Sequence, residues 1–428
     1  MSSDKSDLDA IATESGAVPS DVLANSLGDY VRMWWARVRS GDSGALPVLV
    51  GLAAIVIYFD IRSSAFLSAG NLVNLMTQAA WIVVLGMAEV WVLLLGEIDL
   101  SIGYSAVMGA VITAWMVSPS ENLPWWLAVL AGLAVPAVFS GLQGVIFTWL
   151  RAPSFVVTLA GQLLGAGLLL YLVNVAAPSS GGTIRLTNNV LNDIEGGAMS
   201  PAASWIVMIV AVALGALFFI RRDIRRRASG LAAPPIAVTG LKIAAMAVAG
   251  VILVLISNTN RGAGLIAVKG VPWVVPLVLV VLIGWSMLLS RSRFGRYVYA
   301  VGGNPEGARR AGVSLTRIRV LAFTLCGLTA GIMGIIYASY LGSVSNNVNG
   351  GQNVLYAVAA AVIGGTSLFG GRGKMLGAVI GGVIVAVIYN GLELLGLGAS
   401  AQDIWTAAVL LAAVAVDTLA RRSSSTGR

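Results

Sequence analysis

The chain has 428 residues, of which 57% are hydrophobic and only 11% are charged. Soluble domains carry about 25% charged residues, so this composition excludes an ordinary soluble protein and indicates a chain that lies largely in lipid. The sequence contains no histidine and a single cysteine, Cys326. These counts exclude an intrachain disulfide, a cysteine metal cluster and any catalytic arrangement that needs histidine. We therefore expect neither a metal site nor a bound cofactor.

The first 45 residues differ from the rest of the chain. Residues 1–30 are polar and acidic and contain no apolar run, so we expect a disordered cytoplasmic tail rather than a signal peptide. Residues 31–45 place Trp34 and Trp35 next to several arginines. This pattern suits an amphipathic segment on the inner membrane surface, or a plain basic flank with interfacial aromatic residues.

Apolar stretches long enough to cross a membrane dominate residues 46–420, the predicted transmembrane domain. We predict an all-α polytopic membrane protein with about 10–12 transmembrane helices. The range reflects the Gly-rich segments 96–110 and 364–382, which are compatible with broken or re-entrant helices. The twelve candidate spans lie near 46–60, 77–95, 102–118, 124–148, 154–175, 203–220, 238–257, 271–289, 320–340, 354–370, 376–392 and 404–420.

The distribution of basic residues predicts the orientation. If the N-terminus is inside and the spans alternate, all but four of the 27 Lys and Arg residues lie on the inner side. The two termini are then cytoplasmic, with a tail at 421–428. Residues 176–202 form a polar outer loop, and 221–237 and 290–319 form basic inner loops. The positive charge therefore sets topology and contacts anionic lipid, and we expect no nucleic-acid partner.

Two acids stand between apolar stretches in the segment GEIDLSIG, residues 96–103. Asp99 and Ser101 precede an apolar helical stretch, so either side chain can cap the first free amides of that helix. Glu97 is freer to point into a polar path, and either acid is also a candidate for lining a sugar path. Glu89 lies inside a span without an obvious basic partner, which is compatible with a functional role or with structural burial.

Neutral amide side chains are the other candidates for a translocation path. Asn71, Asn74 and Gln78 fall on one face of a helix, and Asn346 and Asn347 lie in a polar break between two spans. A sugar presents hydroxyl groups and no charge, so such side chains suit it. The alternative for each of them is helix capping or loop solvation.

A short helix is predicted inside the inner loop 290–319. Asn304 is a suitable N-cap, Pro305 suits the first helical position, and Gly312 suits the end, which predicts a helix over about 305–311. The segment GGRGKM, residues 370–375, lacks the spacing and the hydroxyl residue of a phosphate-binding loop. We interpret it as a tight turn between two spans.

Four segments carry a family resemblance. EGARRAG, residues 306–312, resembles the E-A-A-x-x-x-G coupling motif of ABC importer permeases, with Gly307 replacing the first Ala. GEIDLSIG, SRFGRYVYAVGGNPEGARRAGV (292–313) and AAAVIGGTSLFGGRGKMLGAVIGG (359–382) resemble ribose/xylose-type sugar permeases. An extra pair of hydrophobic segments and the long outer loop resemble the xylose members most. Val354 and Tyr356 replace acids of the ribose-type members.

This resemblance implies a permease fold that forms a homodimer in the bacterial inner membrane and imports a monosaccharide, xylose or a related pentose. It implies that a separate ATP-binding subunit supplies the energy, so the chain itself is not an enzyme. An extracytoplasmic sugar-binding protein would deliver the sugar. The implied docking residues for the ATPase are Asn304, Pro305, Glu306, Ala308, Arg309, Arg310 and Gly312.

Other classes of membrane protein remain open from the residues. RFGR, residues 293–296, weakly resembles the inner-loop signature of major facilitator carriers, but a proton-coupled carrier usually needs several buried ionisable groups. An intramembrane enzyme would need a convergent acid cluster, whereas the acids here are scattered. A channel would leave the short helix at 305–311 without a role.

Overall fold

The computed structural model describes residues 46–178, 181–231, 233–262 and 267–398, with isolated positions at 28, 32 and 35 and between 400 and 411. The expected tails at 1–30 and 421–428, the interfacial segment 31–45 and the last expected span, 404–420, lie wholly or mostly outside the described residues. The elements in chain order are α1 (Leu46–Arg62), α2 (Ala69–Leu93), α3 (Ile102–Met116), α4 (Trp125–Leu150), α5 (Ser154–Ala176), β1 (Thr183–Arg185), α6 (Asn189–Asn192), α7 (Pro201–Ala228), α8 (Ile236–Asn258), α9 (Val274–Arg291), α10 (Arg293–Gly303), α11 (Pro305–Arg310), α12 (Leu315–Leu341), β2 (Ser343–Ser345), α13 (Gly350–Ile363) and α14 (Met375–Leu394).

The structure confirms an all-α polytopic membrane protein. In the described part of the chain, eight helices are long and apolar enough to cross a membrane: α2, α4, α5, α7, α8, α9, α12 and α14. Helix α1 has 17 residues, and α3 and α13 have only 15 and 14. Those two measure about 21–23 Å, against a hydrocarbon thickness of about 30 Å. The expected span 354–370 ends early because the chain turns at Gly364 and Gly365.

Residues 199–271 belong to the smaller of two compact units and form the helical pair α7 and α8. The arginine run at 221–227, expected in an inner loop, is helical, because α7 continues to Ala228. Asp223 accounts for part of this extension. It pairs with Arg222 at 2.9 Å and accepts a hydrogen bond from Thr239 of α8 at 2.5 Å, which ties the two helices together.

The larger unit comprises residues 48–198 and everything described from 272 onward. Helix α2 is its centre and packs against α9, α12, α13 and α14, while α4 packs along α12 and α3. The expected outer loop 176–202 contains β1 and α6, and β1 pairs with β2 in antiparallel register, Thr183 opposite Ser345. Helix α12 begins close after α11 and ends next to β2. We call the two ends of this unit the α11 end and the strand end.

Two long helices are followed by short helices that start deep inside the unit. After α2, residues 94–101 run back so that Asp99 lies 3.8 Å from the sulfur of Cys326, near the middle of α12. After α12, residues 342–349 lead to α13. The first turns of α3 and α13 touch: a Cβ on Gly103 would lie 1.9 Å from the carbonyl oxygen of Gly350. Only glycine at 103 permits this approach.

Candidate coupling helix and translocation path

Helix α11 has the start and end that its sequence predicts. The Asn304 side chain accepts a hydrogen bond from the amide of Gly307 at 2.8 Å, and Pro305 occupies the first position. Ala308 is buried and anchors the helix to the unit. Gly312 has a φ of +82°, a left-handed conformation that stops the helix and favours glycine. These features confirm the predicted short helix and fix its direction.

The charged side chains of α11 are exposed and paired with one another. Glu306 lies 2.7 Å from Arg309 and 3.1 Å from Arg310. Hydrogen bonds from Arg309 and then Arg310 lower the pKa of the Glu306 carboxyl. The three side chains therefore form one exposed charged patch with a single acid at its centre. A partner protein with complementary charge and shape can recognise this patch.

Backbone contacts hold α10 and α11 against two neighbouring turns. A Cβ on Gly302 would lie 1.7 Å from the carbonyl oxygen of Leu94, so side-chain atoms are excluded there. The same Leu94 oxygen accepts a hydrogen bond from the Gly371 amide at 2.8 Å. Tyr299 donates its hydroxyl to the carbonyl of Gly373 at 2.7 Å. These contacts hold α10, which leads into α11, against both turns, and residues 370–374 form a turn before α14, as predicted.

The acids of GEIDLSIG point in different directions. Glu97 forms an ion pair with Arg319 at 3.2 Å, and both side chains are mostly buried. The structure thus places Glu97 in a link between the 94–101 segment and the start of α12, not in an open polar path. This pairing partner lies more than 200 positions away in the chain, so the spacing of residues did not reveal it.

Asp99 is fully buried at the start of α3. It accepts hydrogen bonds from the amide and the hydroxyl of Ser101, at 2.9 and 2.6 Å. The capping role predicted for Asp99 is wrong in this form, because the Ser101 amide lies before the first helical residue, Ile102, and no side chain caps the first turn of α3. Ser101 stands at the N-cap position, but its side chain caps nothing. Its hydroxyl instead donates a hydrogen bond to the Asp99 carboxylate and accepts one from the Gln143 side-chain amide at 2.8 Å.

Glu89 belongs to the same buried cluster. One of its oxygens accepts a long hydrogen bond, 3.4 Å, from the Asp99 amide. Its second oxygen, Oε2, is buried with no hydrogen-bond partner among the described residues. Two carboxyl groups therefore lie close together inside the larger unit, near the start of α3 and the middle of α12.

A different group of polar side chains gathers near the strand end. Asn71 and Asn390 exchange two hydrogen bonds, at 2.9 and 3.0 Å. Gln78 is fully buried and donates to Glu393 at 2.6 Å and to the Tyr340 hydroxyl at 3.2 Å. Asn74 is exposed on the same helix. The sequence candidates on α2 thus meet α12 and α14.

The asparagines after β2 lie in the chain break that precedes α13. Asn346 is half-buried and its backbone amide donates to the Gly182 carbonyl at 3.2 Å, while Asn347 is exposed. Asn349 caps α13 by accepting from the Gln352 amide at 3.1 Å. The path candidates therefore form two separate groups. Glu89, Glu97, Asp99 and Ser101 lie toward the α11 end and the interior, and Asn71, Asn74, Gln78, Asn346 and Asn347 lie toward the strand end.

An aromatic cluster adjoins Gln78, and the sequence alone did not predict it. The Trp81 ring centre lies 5.0 Å from that of Tyr337 and 6.0 Å from those of Tyr356 and Tyr389. Tyr337 also stacks on Tyr340, with ring centres 6.5 Å apart. A helical spacing of three residues, Gln78 to Trp81 and Tyr337 to Tyr340, was the available signal.

Fold and site together define a class of protein. Apolar helices cross the membrane, a charged helix stands exposed at one end, and polar and aromatic side chains occupy the interior. The described residues contain no group of three or more Cys, Asp and Glu side chains that could hold a metal ion. These features are those of a polytopic membrane permease. They do not define a particular cargo.

Comparison with known proteins identifies the family. The family model described as "Branched-chain amino acid transport system / permease component" matches residues 71–414, so the chain belongs to this family of permeases. The chain is 34% identical over 403 residues to the xylose transport system permease protein XylH of Escherichia coli (strain K12), covering 91% of this chain and 95% of that protein.

Two further relatives are more distant. The ribose import permease protein RbsC of Escherichia coli (strain K12) is 29% identical over 372 residues, which cover 86% of this chain and 92% of RbsC. The fructose import permease protein FrcC of Rhizobium meliloti is 29% identical over 379 residues, which cover 88% and 86%. No solved structure matches the chain.

Proposed function

We propose that the chain is the membrane-spanning subunit of an ABC importer that brings a monosaccharide, xylose or a related pentose, into the cytoplasm. The observation that carries this proposal is α11, a capped and exposed helix with a charged patch that is fixed by backbone contacts to the membrane unit. Such a helix suits docking on a separate ATP-binding subunit. The resemblance to a xylose permease over nearly the whole chain supports the choice of sugar.

The other partners follow from this role. Two copies of the chain would sit in the bacterial inner membrane, surrounded by lipid, with their termini in the cytoplasm. Basic residues near α11 support this orientation, because Arg293, Arg296 and Arg317 lie at the same end of the chain's helices. An extracytoplasmic sugar-binding protein would then deliver the sugar at the strand end, where the neutral amide candidates Asn71 and Gln78 lie.

The coupling helix can be tested by reversing its central charge. In Glu306→Arg, three like charges replace the internally paired patch, so we expect the ATP-binding subunit to copurify at least about tenfold less well. Membrane insertion should be unchanged, because the Glu306 side chain is 51% exposed and, among the described residues, pairs only with arginines of its own helix. Glu121→Arg is the matched control, since Glu121 is exposed in the turn after α3. Unchanged copurification and unchanged ATP-driven uptake in Glu306→Arg would contradict the assignment of α11.

A proton-coupled secondary transporter is the second candidate, because Glu89 and Asp99 are buried next to each other in the membrane unit. The two candidates differ in their energy source. Uptake by cells that express the chain alone, and its loss on adding a protonophore, would support the carrier. Uptake that needs the ATP-binding subunit and survives the protonophore supports the importer.

A further inference from the structure

The hydrogen-bonding groups around Gln78 are not satisfied by the protein. The Gln78 side chain is 0% exposed and uses its Nε2 group on both Glu393 and Tyr340. Its Oε1 atom is buried without a hydrogen-bond partner among the described residues. The indole N–H of Trp81, one helical turn further along α2, is also buried and unpaired. A buried unpaired polar group is unfavourable by about 1–3 kcal/mol, so such groups together call for an explanation.

A third unpaired group comes from the segment between α6 and α7. Glu195 is only 7% exposed, and both of its carboxyl oxygens lack a hydrogen-bond partner in the described part of the chain. Its backbone amide donates to the Ser339 hydroxyl at 3.0 Å, which places it beside Tyr340. Glu195 and Glu393 both lie within electrostatic reach of the Tyr340 hydroxyl. Three other parts of the chain thus converge on this tyrosine: α2, the segment before α7, and α14.

Aromatic faces complete the surroundings. Tyr337 and Tyr340 stack with only 20° between their ring planes, and Tyr389 lies edge-on to Trp81. The three tyrosines are only partly buried, and Glu393 is exposed, so the cluster opens to the surface near the strand end. The cluster therefore connects the buried residues Gln78 and Trp81 to partly exposed tyrosines at the surface.

Resting on the function proposed above, we infer that Gln78, Trp81, Tyr337, Tyr340, Glu195 and Glu393 form a monosaccharide-binding site within a single copy of the chain. Sugar hydroxyls both donate and accept hydrogen bonds, so one ligand can satisfy carboxyl oxygens, an amide oxygen and an indole N–H together. The flat C–H face of a pyranose ring matches a tyrosine face. A charged ligand fits less well, because the site mixes unpaired donors with unpaired acceptors.

The site is distinct from the buried acids Glu89 and Asp99. Gln78 and Glu89 are separated by three turns of α2, about 16 Å along the helix axis. The strand-end site would therefore meet the sugar soon after its release from an extracytoplasmic binding protein, before it passes the deeper acids. A site that hydrogen-bonds hydroxyls also discriminates between sugars, because a missing hydroxyl leaves a buried group unpaired.

Uptake of labelled D-xylose by cells that contain the complete transporter tests the site. We expect Tyr340→Leu and Gln78→Leu to raise KM for uptake at least about tenfold, with chain abundance and copurification of the ATP-binding subunit unchanged. Tyr340→Phe and Glu195→Gln are milder variants that keep the shape of the site, and should raise KM about threefold or more. Tyr171→Leu and Glu121→Gln alter exposed residues elsewhere and should leave KM unchanged.

The outcomes separate this inference from the proposed function. If the parent transporter imports D-xylose with ATP and all four site variants keep its KM, the site is wrong and the proposed function stands. A fall in maximal rate or abundance at constant KM in all four would likewise overturn it, since the residues would then be structural. If the parent imports neither D-xylose nor D-ribose nor D-fructose, the proposed function and the site both fail.

Discussion

The α11 end and the strand end of the larger unit are held together by different kinds of contact. At the α11 end, backbone atoms touch directly: Gly302 packs on the Leu94 carbonyl, and that carbonyl binds the Gly371 amide. At the strand end, side chains converge, and several polar atoms of Gln78, Trp81 and Glu195 stay unpaired. Unpaired buried atoms also occur toward the α11 end, at Glu89 and Thr366, but at the strand end those of three residues lie around one cluster of tyrosines. One end is thus held by direct backbone contacts, whereas the other gathers free hydrogen-bonding groups in one place.

Disrupting the backbone contacts at the α11 end should have the largest effect on transport. In Gly302→Ala the new Cβ would lie 1.7 Å from the Leu94 oxygen, so α10 must move away from the 94–101 segment. Overpacking of this kind destabilises by about 1–3 kcal/mol, and here it also displaces α11. We expect ATP-driven uptake to fall more than about tenfold, measured together with copurification of the ATP-binding subunit.

The neighbouring glycine supplies the control for that comparison. Nothing lies within 4 Å of a Cβ placed on Gly303, and that residue is exposed. Gly303→Ala should therefore transport at the parent rate. Equal activity of the two variants would show that the α11 end is not a close backbone junction.

The strand end should respond to pH instead. Burial raises the pKa of Glu195 from 4.5 to about 9. A carboxyl whose pKa is raised on folding stabilises the fold fully below its unfolded pKa, and this contribution is lost as the pH rises toward 9. The loss by pH 7.5 is on the order of 4 kcal/mol. We expect Tm of the detergent-purified chain to decline with pH between 5 and 9, and more steeply than in Glu195→Gln.

Glu121→Gln calibrates this measurement, because it removes an exposed carboxyl and should leave the pH slope of the parent intact. An identical slope in the parent and in Glu195→Gln would mean that Glu195 is not buried as a neutral acid.

The smallest predicted effect concerns the ion pair between two side chains at the α11 end. Glu97 and Arg319 are mostly buried and 3.2 Å apart, so their coupling should exceed that of a surface pair, which is about 0–1 kcal/mol. A double-mutant cycle with Glu97→Gln and Arg319→Gln, followed by chemical or thermal unfolding, should give a coupling of about 1–2 kcal/mol. A coupling near zero would mean that this ion pair adds nothing to the backbone and hydroxyl contacts that hold the 94–101 segment.

Local signals predicted the helices well, because a span or a capped turn depends on residues that are neighbours in the chain. Asn304, Pro305 and Gly312 define α11 in the sequence and in the structure alike. The α7 extension through the arginine run was missed, since the Thr239 hydrogen bond to Asp223 joins two helices. The expected start of the second span at 77 was also late, because the Ser68 cap starts α2 at Ala69.

Only single residues of the candidate site could be predicted from the sequence. Gln78 stood out as an amide on an apolar helix, but its partners Tyr340 and Glu393 lie 262 and 315 positions away. Glu195 lies in the predicted polar outer loop 176–202, and its burial depends on how that loop packs beside Ser339. Pairings of this range are set by tertiary packing, so composition and spacing cannot supply them.

The two short helices that begin deep inside the larger unit follow the same pattern in opposite directions. The chain runs through α2 to the α11 end and then returns as α3, and it runs through α12 to the strand end and then returns as α13. The two passes have opposite senses and meet at Gly103 and Gly350. Two passes of opposite sense that meet inside one unit are typical of transporters with inverted repeats.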